Sequence, residues 1–193
     1  MSNQAKTPSI LFLVGMPGAG KSTCVDHLTA KNIPSVYFGG IVVEEATKRN
    51  GGVTNPEIEK IVREEFRAKD GMGAIAKRII PVIDKLLTTN NRVVADGLYS
   101  WTEYKMIKEH YGDQALIVAI TAPRHIRHQR LAHRPIRPLN AQEVTNREYA
   151  EIENIEKGGP IANADYTINN DNDPLLMLNQ LDHILHNTNF FEQ

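Results

Sequence analysis

Eight consecutive residues, Gly15-Met16-Pro17-Gly18-Ala19-Gly20-Lys21-Ser22, fill every position of the pattern G-x-x-x-x-G-K-[ST]. The apolar run Ile10-Leu11-Phe12-Leu13-Val14 stands directly before them, so the order is buried strand, glycine turn, helix start. Glycines at 15, 18 and 20 let the backbone bend until successive N–H groups point inward onto phosphate oxygens, and the new helix adds its positive end. Lys21 supplies a mobile point charge for the outer phosphates and Ser22 a hydroxyl for Mg2+, with Ala19 and Thr23 completing the expected phosphate-binding set.

Asp96 closes the run Arg92-Val93-Val94-Ala95, at the end of a strand where a carboxylate can hold Mg2+ through water or orient a substrate hydroxyl. Gly97 follows it at a place where hydrolytic phosphate-loop motors carry an acid, which favours transfer of a phosphoryl group over attack by water. No Asn-Lys-x-Asp guanine-reading motif occurs, so ATP is the expected nucleotide. A third feature is basic: Arg124, Arg127, Arg130, Arg134 and Arg137, with His125, His128 and His133 among them and no acid from Gln114 through Gln142. Arg127, Arg130 and Arg134 recur at helical spacing and are expected to share one face. Phosphoryl transfer depends on positioning and charge neutralisation, so Lys21, Asp96, Arg130 and Arg134 are the expected catalytic residues, with Ser22 and Asp96 serving the metal. The histidines have no carboxylate or cysteine partner at ligand spacing and are expected on the surface.

The elements that must carry these residues read as alternating strands and helices. After the first helix come a strand at 35–38, helices at 41–49, from Pro56 and across Ile75 to Leu87, the strand ending at Asp96, and a helix bearing Trp101, Tyr104, Ile107 and Tyr111 as a core stripe. The most apolar strand, Ala115–Ile120, should be central, followed by a helix over 124–132 and a polar helix over 141–157 that Gly158-Gly159-Pro160 stops. Tyr166-Thr167-Ile168 makes a last strand; Leu175, Leu178, Leu181 and Leu185 mark a closing amphipathic helix, and 187–193 reads as a loose tail. This alternation implies an α/β fold with right-handed crossovers, a parallel sheet covered on both faces, and the ligand at the carboxyl ends of the strands.

Composition narrows the function classes. The 193 residues suit a single domain, and 22 basic against 23 acidic side chains argue against a nucleic-acid coat or a membrane-surface protein. The single Cys24 rules out an internal disulfide framework and fits a reducing cytoplasm, and no apolar run reaches the ~18 residues of a membrane span.

Taken together, Gly15 to Ser22, Val93-Val94-Ala95-Asp96-Gly97 and the arginine-rich segment resemble the nucleoside-monophosphate-kinase superfamily of P-loop proteins, and more closely its dephospho-CoA-kinase-like group. Glu44-Glu45, Asp70-Gly71, Arg147-Glu148 and the stretch Ile161 to Asn170 fall where that group's patterns put them. The resemblance implies a three-layer P-loop NTPase fold with five parallel strands (about 8–38, 90–124 and 158–187), a substrate-binding helical region around 39–80, and a lid around 125–145. It also implies an ATP- and Mg2+-dependent kinase acting on a small nucleotide-like or coenzyme-like acceptor. One departure stands out. After the second strand relatives commonly carry an Asp and then an Arg that grips the acceptor's phosphate, where this chain has Gly40 and Val43. Arg49, Arg63, Arg67 and Arg78 are candidate substitutes; an ATP-binding regulatory module without acceptor phosphorylation is the alternative. The acceptor and the oligomeric state stay open at this point.

Overall fold

Five short apolar runs become strands in the computed structural model, which describes residues 7–171 and 173–191. They are β1 (Ile10–Val14), β2 (Ser35–Tyr37), β3 (Val93–Asp96), β4 (Ala115–Thr121) and β5 (Tyr166–Asn169), all parallel in the order β2-β3-β1-β4-β5. Every residue of β1 is buried, because it pairs on both sides: Phe12 lies between Ala95 and Ile117. Burial on two faces is what an unbroken apolar run at the centre of a parallel sheet requires.

Alternate side chains of β1 feed two cores. Ile10, Phe12 and Val14 join a cluster with residues of α2 (Gly40–Arg49), α3 (Pro56–Asp70), α4 (Ala74–Leu87) and α5 (Trp101–Tyr111). Leu11 and Leu13 point the other way, onto α1 (Lys21–Thr29) and α9 (Pro174–Asn187). Three further helices complete the chain: α6 (Arg124–His133), α7 (Ala141–Glu153) and the short α8 (Gly158–Ala162). Local chemistry fixes the helix starts. Asn55 caps α3 ahead of Pro56, and reciprocal capping boxes open α5 (Ser100 with Glu103) and α7 (Asn140 with Glu143). Among the described residues no helix is long and apolar enough to cross a membrane.

Four local expectations need correction. α7 ends at Glu153, not at 157, and Gly158-Gly159-Pro160 starts α8 instead of merely stopping a helix. A proline in the first helical turn has no hydrogen bond to lose, and Gly159 lets α8 sit on Trp101, whose ring would be 2.9 Å from a Cβ there. In α9 the inward row is Met177, Leu181 and Leu185, while Leu175 is 63% exposed; the thioether, overlooked beside four leucines, packs on Cys24. The segment after α9 is docked. Phe190 is fully buried, its N–H donates to the Leu185 carbonyl at 2.8 Å, and its own carbonyl accepts from Arg92 Nε; residues 192–193 of the expected tail lie outside the described residues. Finally, of the stripe on α5 Ile107 and Tyr111 are buried in the core and Tyr104 packs against it, while Trp101 stacks on Tyr104 at 4.9 Å outside it, and Tyr104 Oη donates to the Asn163 carbonyl.

Candidate active site

The turn after β1 is shaped by its glycines and fastened from behind. Gly15, Gly18 and Gly20 have φ of 146°, 78° and 109°, which L side chains rarely adopt. Behind them the space is filled by the Ile120 carbonyl, the Arg127 backbone and the Asn170 amide, so a Cβ at any of the three collides. Asn170 also donates to the Ala19 carbonyl at 2.7 Å, and Ala19 is fully buried. Lys21 folds back over the turn, its ammonium donating to the Gly15 carbonyl at 2.9 Å. Burial, then the neighbouring Lys157, push its pKa down to about 8.

This turn is the floor of a cleft of about 340 Å3 lined by Gly18, Gly20, Lys21, Ser22, Thr23, Asp96 and the side chains described below. Ser22 and Thr23 are exposed in it. Asp96 sits at the end of β3 beside β1, paired with Leu13 on one side and Tyr37 on the other. Its Oδ1 is buried with no hydrogen-bond partner, and burial raises its pKa against the pull of Lys21 and Lys157. An orphaned carboxylate oxygen beside free hydroxyls fits a hydrated Mg2+, which takes one or two protein oxygens and completes its shell with water and phosphate. No group of three or more His, Cys, Asp or Glu able to hold a metal by protein ligands alone exists among the described residues. Gly97, expected only as a missing acid, has a second role. With φ 94° it makes room for the Tyr99 ring, which a Cβ would meet at 2.7 Å.

Two buried glutamates, Glu148 of α7 and Glu59 of α3, sort the basic segment. Glu148 accepts from Arg124 Nε at 3.1 Å, from Arg127, and from His128 Nε2 at 3.1 Å. Arg127 is therefore a fastener, not a free cation of the expected face, and His128 does have a carboxylate partner, brought from twenty residues downstream. Arg127 also donates to the Ala122 and Pro17 carbonyls at 3.1 and 3.4 Å. Arg137 pairs instead with Glu59 of α3 at 3.3 Å. That leaves Arg130 and Arg134, both on the cleft and neither paired with a carboxylate among the described residues. Arg130 makes only long contacts of 3.4 Å to the Gly18 carbonyl and Asn170 Oδ1. Burial, then Arg147 and Arg137, lower the pKa of Arg134, the mark of a site short of negative charge.

The cleft also holds residues that the sequence reading did not place there: Tyr37, Tyr99, Arg147 and Lys157. Arg147 carried a signal only through the resemblance; Lys157, in the turn between α7 and α8, carried none. On the other side of β3, Gly40 and Val43 lie in the first turn of α2. Of the four substitute arginines, Arg49 is paired with Glu45 and Glu65, and Arg78 with Asp70. Arg63 and Arg67 have no ion pair among the described residues, and Arg67 Nε is buried without a hydrogen bond.

Comparison with known proteins agrees with this architecture. The sequence pattern of the family described as "AAA domain" matches residues 11–154. The UPF0200 protein of Thermococcus onnurineus is 34% identical over 84% of this chain and 88% of its own length. The UPF0200/UPF0201 protein of Archaeoglobus fulgidus is 38% identical over 65% of this chain, a match that spans 38% of that longer protein. Among solved structures, shikimate kinase from Aquifex aeolicus superposes with a TM-score of 0.56 at 22% identity, covering 92% of this chain and 96% of that one. Dephospho-CoA kinase from Campylobacter jejuni gives 0.55 at 13% identity, covering 95% and 98%. The three-layer α/β fold of the P-loop kinase type is thus shared with these solved structures, and the chain belongs to the AAA-domain family and to the UPF0200 proteins.

Proposed function

We propose that the protein is an ATP- and Mg2+-dependent phosphotransferase acting on a small nucleotide-like or coenzyme-like acceptor. One observation carries the reading: Lys21, Arg130 and Arg134 converge on the phosphate loop with no carboxylate ion pair among the described residues, while their basic neighbours Arg124, Arg127 and Arg137 are all paired. Lys21, Arg130 and Arg134 are half-buried, and unpaired cations drawn partly out of water are costly unless a polyanion completes them, as a triphosphate does. In this reading the loop N–H groups of 15–20 and Lys21 hold the β- and γ-phosphates, and Ser22 and Asp96 hold the metal. When bound there, Mg2+ would supply positive charge that offsets the charge of the phosphates. Arg130 and Arg134, within the segment 125–145 read as a lid, stabilise charge on the transferring group. Asp96, with its pKa raised by burial, is also placed to accept a hydrogen bond from the acceptor hydroxyl.

The acceptor's place is the region 39–80 beside β2 and β3. There Arg63 and Arg67, unlike Arg49 and Arg78, remain available for an anionic group. A second reading, an ATP-binding regulatory module, is favoured by the absence of a charged side chain at Gly40 and Val43. The deciding experiment is ADP release from MgATP against dephospho-CoA, nucleoside monophosphates, nucleosides and small anionic alcohols. One acceptor raising release well above the no-acceptor rate, with the gain lost in Lys21→Ala, supports the kinase. A flat panel with intact ATP binding supports the module.

A further inference from the structure

Five cationic side chains line the cleft against the single carboxylate of Asp96, and one of them lies in an unusual place. Lys157 is only 2% exposed, yet it borders the cleft with Lys21. Its ammonium rests 4.9 Å from the centre of the Tyr99 ring and 2.5 Å from Glu151 Oε2. Glu151 Oε1 meanwhile accepts from Arg147 Nε at 3.0 Å, so one carboxylate is divided between two cleft cations. The Lys157 N–H donates to the Glu151 carbonyl at 3.1 Å, and Glu156 takes φ 54° to turn the chain, which fixes where the ammonium stands.

As a support for the fold this is a poor arrangement. A buried ion pair returns little net stability over apolar packing, and here it sets a second buried ammonium close enough to Lys21 to repel it. As part of a polyanion site it is a good one, because incoming phosphate oxygens relieve that repulsion. We propose that Lys157 is a second phosphate-contacting cation and a catalytic residue of this cleft, and that Glu151 is the counter-ion that holds it in position until the triphosphate engages it. The inference rests on the reading that the cleft binds MgATP.

The test is calorimetric binding of MgATP, ADP and adenosine to the full chain, with the thermal midpoint of each unliganded variant as control. Lys157→Met leaves Glu151 with half its charge unmet and can fail to fold, so the double variant Lys157→Met/Glu151→Gln, which removes both charges, is measured beside it. A charge-assisted hydrogen bond to phosphate predicts a loss of about 10- to 100-fold in ATP affinity in the double variant. The loss is smaller for ADP and absent for adenosine, whereas a merely structural lysine would weaken all three alike. Lys157→Arg restores most of the ATP affinity. Glu151→Gln alone tightens ATP binding, since Lys157 and Arg147 are released from their counter-ion. Unchanged ATP binding in the folded double variant, or equal losses for ATP and adenosine, overturns the role of Lys157. Weaker ATP binding in Glu151→Gln overturns the counter-ion role. If the wild-type chain itself binds no MgATP, the reading of the cleft fails and this inference fails with it.

Discussion

Glu148→Gln keeps the shape of the side chain and removes its charge, at a position where one carboxylate joins α6 to α7. The residue is 4% exposed. Of its partners, Arg127 and His128 have side chains 11% and 22% exposed, while Arg124 at 55% is largely screened by water. Removing one member of a buried ion pair costs about 3–5 kcal/mol. The Arg124 contact adds no more than about 0.5–1 kcal/mol, and the remaining amide oxygen returns about 1 kcal/mol as a neutral acceptor. The net loss is about 3 kcal/mol, which for a chain of this length lowers the thermal midpoint by about 6–12 °C. The pH dependence gives an independent check. Burial alone would raise the Glu148 pKa, but hydrogen bonds from His128, Arg124 and Arg127 outweigh it and hold the carboxyl below its ordinary range. A depressed carboxylate contributes stability above the unfolded-state pKa and loses it as pH falls through the folded-state value. Glu148→Gln should therefore flatten the acid limb of the stability curve as well as lower the midpoint near neutral pH. Thermal unfolding followed by circular dichroism from about pH 3 to about pH 8 reads both. A midpoint shift below about 2 °C at neutral pH, with the acid limb unchanged, would show that the cluster behaves as a surface ion pair and that the estimate is wrong.

Three other outcomes are expected. ATP affinity should be flat below about pH 8 and fall as pH rises through the Lys21 pKa of about 8, because only the ammonium attracts phosphate; calorimetry showing constant affinity up to about pH 9.5 would contradict it. Arg130→Ala should lower kcat more than it weakens ATP binding, since an arginine held by only long contacts acts mainly as charge develops; equal losses would make it a ground-state contact. Phe190→Ala should cost about 3–5 kcal/mol in urea unfolding, and a loss under about 1 kcal/mol would mean that the segment after α9 is not part of the core.

What could be read from the sequence was local. The phosphate loop is a contiguous run after a buried strand, and Asp96 ends another, so both were legible together with the strand and helix alternation. The division of labour among the arginines was not. Arg127 and Arg130 sit on the same helix with similar neighbours, and only Glu148, about twenty residues on, makes one a fastener and leaves the other on the cleft. Lys157 was hidden for the same reason, since the helix expected to run through it ends at Glu153 and the turn delivers it to the cleft. Phe190 had no periodic pattern to announce it, because a single ring filling a gap below β1 has no period.

The phosphate loop has a further consequence for how the molecule is made. Its residues are made before the walls that hold Gly15, Gly18 and Gly20 in shape, which are Ile120, Arg127 and Asn170. Until Asn170 is made, a growing chain therefore carries the full motif without the whole surface that gives the motif its form. The walls of the loop are complete only when β5 adds to the sheet edge and Asn170 reaches the Ala19 carbonyl. A chain still lacking β5 holds the motif without its folded form, so the order of the sheet ties the shape of the loop to completion of the sheet edge.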